Sequence, residues 1–258
     1  MDVGLLLLVA GAAGAYAVGV RRLGRRGRRW PAGRSVAFAA GLLAVALAGA
    51  GAAGDESSSF TAHALQHALL AMVAPLLLAL GGPVTLALQA TARPTQVGLL
   101  RLVHARPVAV LTSPVVAWVL FGGSTIALYT TPLLEASLRS GLVHVAVHLH
   151  LLLVGCLFCW TVVGVDPLPH RLPHGARLAA VLLALPFHAV VGLALVNGSA
   201  LLAADFYDDL GAQHAGGAVL WATGELFGVV AAGIVLAQWM AADEREAARV
   251  DRRLAANP

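Results

Sequence analysis

Seven of the ten histidines fall in or at the ends of long apolar runs, where an imidazole needs a reason to be. His63 and His67 open one run, in AHALQHALL. His144 and His148 open another, in GLVHVAVHLHLLL, and His150 follows. His188 is central in a third, in LPFHAVVGL, and His214 precedes the paired glycines of GAQHAGG. Two residues four apart share one helical face, about 6 Å apart along the axis. Imidazoles so placed form a natural chelate, and neutral imidazole suits copper, zinc or haem iron. For any one of these histidines alone, a hydrogen-bonded packing role is the simpler reading. Two same-face pairs favour a metal or haem site. His150 is two positions after His148 and points about 200° away from it, toward another helix or a backbone group. His104, His170 and His174 lie between apolar runs and read as solvated.

Three other features bear chemistry. Glu225 sits in the middle of WATGELFGVV, where an ionised carboxylate is costly unless paired or hydrated. It lies at about the depth of His188, and a His–Glu contact would fix the imidazole tautomer. A proton relay, or a protonated Glu bonded to a neighbouring helix, are the other readings. Around it Gly217, Trp221, Gly224 and Gly228 make a largely small-residue stripe that reads as close helix packing. Cys156 and Cys159 form a C-x-x-C in GCLFCW. The βαβ setting of a redox motif is absent, so packing is the main reading, with Cu(I) binding the other. Met72, about one turn beyond His67, is a candidate soft ligand, although three methionines make no Met-rich track.

These residues must be held by membrane helices. The chain of 258 residues is 59% hydrophobic and only 12% charged, with a mean hydropathy of +0.81, against about 25% charge in ordinary globular domains. Seven apolar runs, at 3–20, 35–54, 61–88, 108–129, 141–163, 178–198 and 215–240, are each long enough to cross roughly 30 Å of hydrocarbon as a helix. Strand alternation is absent, and backbone hydrogen bonding in lipid leaves helices as the solution. The expected fold is an all-α, seven-helix membrane bundle forming a single domain, with residues 241–258 as a cytoplasmic tail. Pro75, Pro114 and Pro186 are expected to shape their helices. The NGS at 197–199 is a common chance motif and carries no weight.

Orientation follows from arginine. All seventeen basic residues are Arg. Seven lie in RRLGRRGRRWPAGR, three in 91–107, two in 164–177 and four in the tail, all on one side if seven spans alternate. Only Arg139 falls on the other side. The positive-inside rule then puts the N-terminus outside and the C-terminus in the cytoplasm. The first run has its arginines after it, unlike a signal peptide, and reads as a retained span. The spans that open with His63, His144 and His214 all run inward, so these histidines share the outer level. The outer connections are acidic, with Asp55, Glu56, Glu135, Asp205, Asp208 and Asp209, and such charge attracts cations. Two cysteines make no disulfide framework, and nothing in the charge pattern suggests a nucleic-acid partner.

Four stretches, FTAHALQHALLAMVAPLLLALGGPVTLAL, HLHLLLVGCLFCWTVVGVDPLPHRLP, PFHAVVGLAL and GGAVLWATGELFGVVAAGIVLAQWMAADERE, resemble the CtaG-type cytochrome c oxidase assembly factors of bacteria. The resemblance runs from about residue 36 to the C-terminus. The matching positions are His63, Gln66, His67, His148, His150, Asp166, Pro167, His188, Gly216, Gly217, Trp221 and Glu225. His144 fits the geometry better than the family pattern. Ala212, Gln213 and His214 stand where members often carry Asp-Gln-Gln, so an acidic side chain is lost and an imidazole gained. Cys159 stands where an aromatic is expected.

The resemblance implies a multi-pass protein of the bacterial plasma membrane that helps mature the respiratory oxidase by handling copper. Its implied partners are oxidase subunits and other copper chaperones. Related domains fused to CopD-type copper-resistance proteins point the same way. The expectation is a non-catalytic factor that holds copper, as Cu(I) or Cu(II), near the outer leaflet. Its ligands would be His63, His67 and His148, with His144 or His214. Gln66, Met72, His150, His188 and Glu225 would support the site or relay protons. One alternative is a haem-binding redox protein, although stacked haems want histidines about thirteen residues apart on each helix. Another is a copper permease using His188, Glu225 and the C-x-x-C.

Overall fold

The computed structural model describes residues 3–50 and 59–255, and every described element is helical. Asp55, Glu56, the end of the run at 35–54 and the last three residues of the tail lie outside the described residues. The helices are α1 (Val3–Arg25), α2 (Ala32–Gly49), α3 (Phe60–Ala68), a π-helical turn (Leu69–Val73), α4 (Ala74–Leu80), α5 (Pro83–Ala90), α6 (Arg93–Val103) and α7 (Arg106–Leu111). They continue with α8 (Pro114–Thr130), α9 (Leu133–Arg139), α10 (Gly141–Val163), α11 (His174–Asn197) and α12 (Leu210–Ala255). Six spans are long and apolar enough to cross a membrane. A seventh crossing exists if α8 and α9, which meet at 72°, are counted together.

The sequence boundaries shift where proline and glycine act. The third run continues to Ala90, but Gly82, at φ 59°, breaks it between α4 and α5. Only glycine adopts that conformation without steric cost. The stretch 91–107, expected as a loop, is largely α6 and the start of α7, each opening on a proline in its first turn. The fourth run, expected unbroken over 108–129, divides at Thr112–Ser113. Ser113 precedes Pro114 and is extended at ψ 137°, because a residue before proline is pushed out of the helical region. The seventh run is longer than its apolar core: α12 has 46 residues, or about 69 Å, and carries its helix through most of the expected tail.

Packing follows the small residues. α11 and α12 pair along their length, α12 also packs on α3, α2 and α10 pack on α4, and α8 packs on α10 and α11. A Cβ on Gly217 would sit 2.8 Å from the Gly192 carbonyl, and one on Gly224 would sit 2.7 Å from the Cβ of His188. The stripe on α12 therefore brings it against α11, the close approach that small residues permit in membranes. α1 lies at the periphery, touching α2 and α5.

The arginine-bearing connections meet at one end of the bundle. Arg26 donates to the Gln89 carbonyl at 3.1 Å, joining the first connection to the end of α5. The buried Asp166 carboxylate accepts from the Val84 and Thr85 amides at 3.2 and 2.7 Å and from the Thr85 hydroxyl at 2.6 Å. It thus caps α5 from a distant segment, satisfying amides that a helix start leaves open. Asp166→Ala is expected to strand these donors and cost about 3 kcal/mol. Thermal unfolding of the detergent-solubilised variant against the parent checks this.

Candidate metal centre

At the opposite end, α3, α8, α10 and the α11–α12 connection bring four histidines and two tyrosines together. Ser59 caps α3, accepting from the Ala62 amide, and fixes the first turn, which carries His63 with His67 one turn on. Both imidazoles are 2% exposed, and His148 on α10 is 3% exposed. One nitrogen from each of the three lies within 4.8 Å of the others. His144, one turn before His148 and half-buried, sets its ring centroid 4.0 Å from that of His148, tilted by 60°, and 5.7 Å from that of His63, edge to face. The i, i+4 pairing on two helices is what places four rings at one depth.

The orientation of the rings is set by tyrosine. His63 Nδ1 lies 2.7 Å from the Tyr207 hydroxyl, and His67 Nδ1 lies 3.1 Å from the Tyr129 hydroxyl. The two Nε2 atoms face each other at 2.8 Å. That separation is a hydrogen bond, so one Nε2 carries the proton and the other accepts it. The ring that is protonated on Nε2 then accepts from its tyrosine through Nδ1. A cation in place of the shared proton would leave both Nε2 lone pairs as ligands and both Nδ1–H groups donating to tyrosine oxygens. Hydrogen-bonded Nδ1–H is the arrangement that orients metal-bound histidine. At metal–nitrogen distances of about 2.0 Å, tetrahedral ligands sit about 3.3 Å apart, so the pair would open by about half an ångström. Three converging imidazole nitrogens are a donor set that suits copper, zinc or iron.

Phe60 holds the two tyrosines, with ring centroids 5.3 Å from Tyr207 and 6.4 Å from Tyr129. A Cβ on Gly216 would meet the Phe60 ring at 2.6 Å, so this glycine makes room for the prop. Tyr207 is delivered by a turn in which Ala203 takes φ 53°, an uncommon conformation for a residue with a Cβ. Gln213 pins that turn, accepting from the Leu202 amide at 2.6 Å and donating to the Ala200 carbonyl at 3.0 Å.

The other singled-out residues go elsewhere. His214 does not join the cluster; its Nε2 bonds the Gly198 carbonyl at 2.9 Å, across the α11–α12 connection. Gln66 faces α2 and donates to the Ala48 carbonyl at 2.7 Å. Met72 is fully buried in the π-helical turn. His150 reaches a neighbouring helix, bonding the Ser124 hydroxyl at 2.8 Å. His188 and Glu225 do not pair. His188 Nε2 is 3.3 Å from the Thr125 hydroxyl, while Glu225 accepts from Trp221 Nε1 on its own helix at 3.3 Å. The reason is Gly224: α12 turns that glycine, not Glu225, onto His188. Cys156 and Cys159 are buried free thiols. Of the acidic residues expected on the outer side, Asp205 and Glu135 both face Arg139, at 2.5 and 3.8 Å, so part of that charge is already matched.

Tyr129, Tyr207 and Phe60 were not singled out from sequence. The chain has only three tyrosines, and two of them hold this site. A tyrosine at the end of a span and another among aspartates, in DFYDD, were the available signals.

Comparison with known proteins places the chain in a family. No solved structure matches the chain. Uncharacterized protein ML1998 of Mycobacterium leprae, Mb0105 of Mycobacterium bovis and MT0111 of Mycobacterium tuberculosis are each 37% identical over 254 residues, covering 92% of this chain. The chain spans 38% of the length of each of these relatives. Residues 14–242, which include every residue of the histidine cluster, match the family described as cytochrome c oxidase caa3 assembly factor. The chain thus belongs to the caa3 cytochrome c oxidase assembly factor family.

Proposed function

We propose that this protein is a non-catalytic copper-handling factor for cytochrome c oxidase, working in the bacterial plasma membrane. The observation that carries the reading is the set of three buried imidazoles, His63, His67 and His148, with converging nitrogens, the first two held by tyrosine hydroxyls. His144 stands beside them as a fourth, more exposed donor. The arginine distribution supports an outer-leaflet position for the cluster. A crevice of about 140 Å³ between α1 and α10 borders His148 and offers a way in. Copper is the cargo: it enters by ligand exchange from outside and leaves by exchange onto ligands of the oxidase or of another copper chaperone. Neither step forms or breaks a covalent bond of the protein. The separation of His188 from Glu225 removes the relay on which a permease reading leaned.

Metal analysis of the purified protein tests the reading. The parent is expected to hold copper, and His63→Ala, His67→Ala and His148→Ala to lose it. Unchanged copper content in all three would sink the site. Tyr207→Phe probes the ring-orienting bond. It is expected to keep the fold and weaken copper retention tenfold to a hundredfold, measured by competition with a chelator. Equal retention would mean that the hydroxyl merely packs.

A further inference from the structure

The arginine-rich end holds a cavity of about 650 Å³ between the α10–α11 connection, α12 and the first turn of α2. Arg34, Arg171, Arg177 and Arg245 line it, and among the described residues none of the four is in an ion pair. The one carboxylate in the wall, Asp166, is occupied in capping α5. Arg177 is buried and held rigidly. Its Nε donates to the Val162 carbonyl at 2.5 Å, and its Nη2 donates to the Val163 carbonyl and to Gln238 Oε1 at 2.6 and 2.5 Å. A guanidinium carries five N–H donors, and the two on Nη1 have no partner among the described residues. Two free N–H donors on a fixed guanidinium, beside three further unmatched guanidiniums, ask for an anion with several acceptor oxygens.

We propose that this cavity binds a phosphate group, carried by the headgroup of an anionic membrane lipid or present as free phosphate. Arg177 forms its fixed floor, and Arg34, Arg171 and Arg245 close over the charge. Basic pockets between membrane helices at the cytoplasmic face are suited to phosphodiester headgroups, and arginine matches phosphate oxygens two at a time. The site is separate from the histidine cluster, at the other end of α10.

The test uses the full-length protein in nanodiscs of phosphatidylcholine, with and without cardiolipin. Bound lipid is read by native mass spectrometry, and inorganic phosphate binding by equilibrium dialysis with radiolabelled phosphate in the lipid-neutral discs. Arg177 is kept because it caps α10. Arg34→Gln/Arg171→Gln/Arg245→Gln removes three charges from the rim, and Arg249→Gln/Arg252→Gln/Arg253→Gln removes three from the distal tail. The rim variant is expected to lose binding on the order of a hundredfold, taking about fivefold per arginine, while the tail variant keeps it. Retention of cardiolipin alone assigns the phosphate to a lipid, and binding of inorganic phosphate in neutral discs assigns it to the free ion. Equal losses in rim and tail variants, or no binding of either probe, overturn the proposal.

Discussion

His67→Ala is expected to leave the purified protein without copper, while His214→Ala leaves it loaded. Both residues stand near the start of a span, and spacing alone does not rank them. The geometry does. His67 Nε2 is 2.8 Å from His63 Nε2 and belongs to the three-nitrogen set within 4.8 Å, whereas the His214 ring is turned to the Gly198 carbonyl. Losing one of three imidazoles should cost more than the tenfold to hundredfold typical of a residue that only orients a ligand. The expected order of copper loss is His67, His63 and His148 first, His144 less, and His214 not at all. Copper retention should also fall on acidification, because protons compete for the same lone pairs. Copper-to-protein ratios after dialysis against a weak chelator check the order. Loss in His214→Ala equal to that in His67→Ala would break the assignment.

The difference between those two histidines shows what the sequence could carry. Helical periodicity sets which residues share a face, so the pairs His63/His67 and His144/His148 were legible, as was His150 pointing away from them. Span length and arginine placement set which end each pair occupies. Rotation of one helix against another is not written in periodicity. It decided that Gly224 and not Glu225 faces His188, and that His214 turns toward α11. Residues delivered by connections were equally hidden. Tyr207 reaches His63 only because Gln213 and the left-handed Ala203 fold the α11–α12 turn inward. Helix breaks were visible as Gly-Gly-Pro and Ser-Pro, but in a uniformly apolar run hydropathy outweighs them. The fourth span was therefore drawn whole where proline divides it.

Gly155→Leu is expected to empty the copper site without touching a ligand. The argument begins at Pro75. Proline has no N–H to give the Ala71 carbonyl four residues back, and its ring crowds that carbonyl. The helix opens into the π-helical turn Leu69–Val73, and the Ala74 amide bonds Leu69 in the five-residue pattern of a π-helix. The Ala71 carbonyl is thereby left facing α10, at the position where a Cβ on Gly155 would stand, and Pro75 Cγ lies 2.7 Å from that position. A glycine there lets its Cα–H meet the carbonyl and the two backbones touch. A leucine must push α10 away from the π-helical turn. The contacting atoms are backbone and a proline ring, which cannot swing aside. Overpacking of this kind costs about 1–3 kcal/mol. The functional loss is larger, because His148 lies seven residues up the same helix, about 10 Å along its axis. Its nitrogen must stay within 4.8 Å of two nitrogens on α3, so a displacement of an ångström or two along α10 separates the ligand set. Gly155→Ala should show a weaker form of both effects. The measurement pairs thermal unfolding in detergent with copper content. Full copper retention in a leucine variant that folds would show that the α3–α10 contact does not set the site.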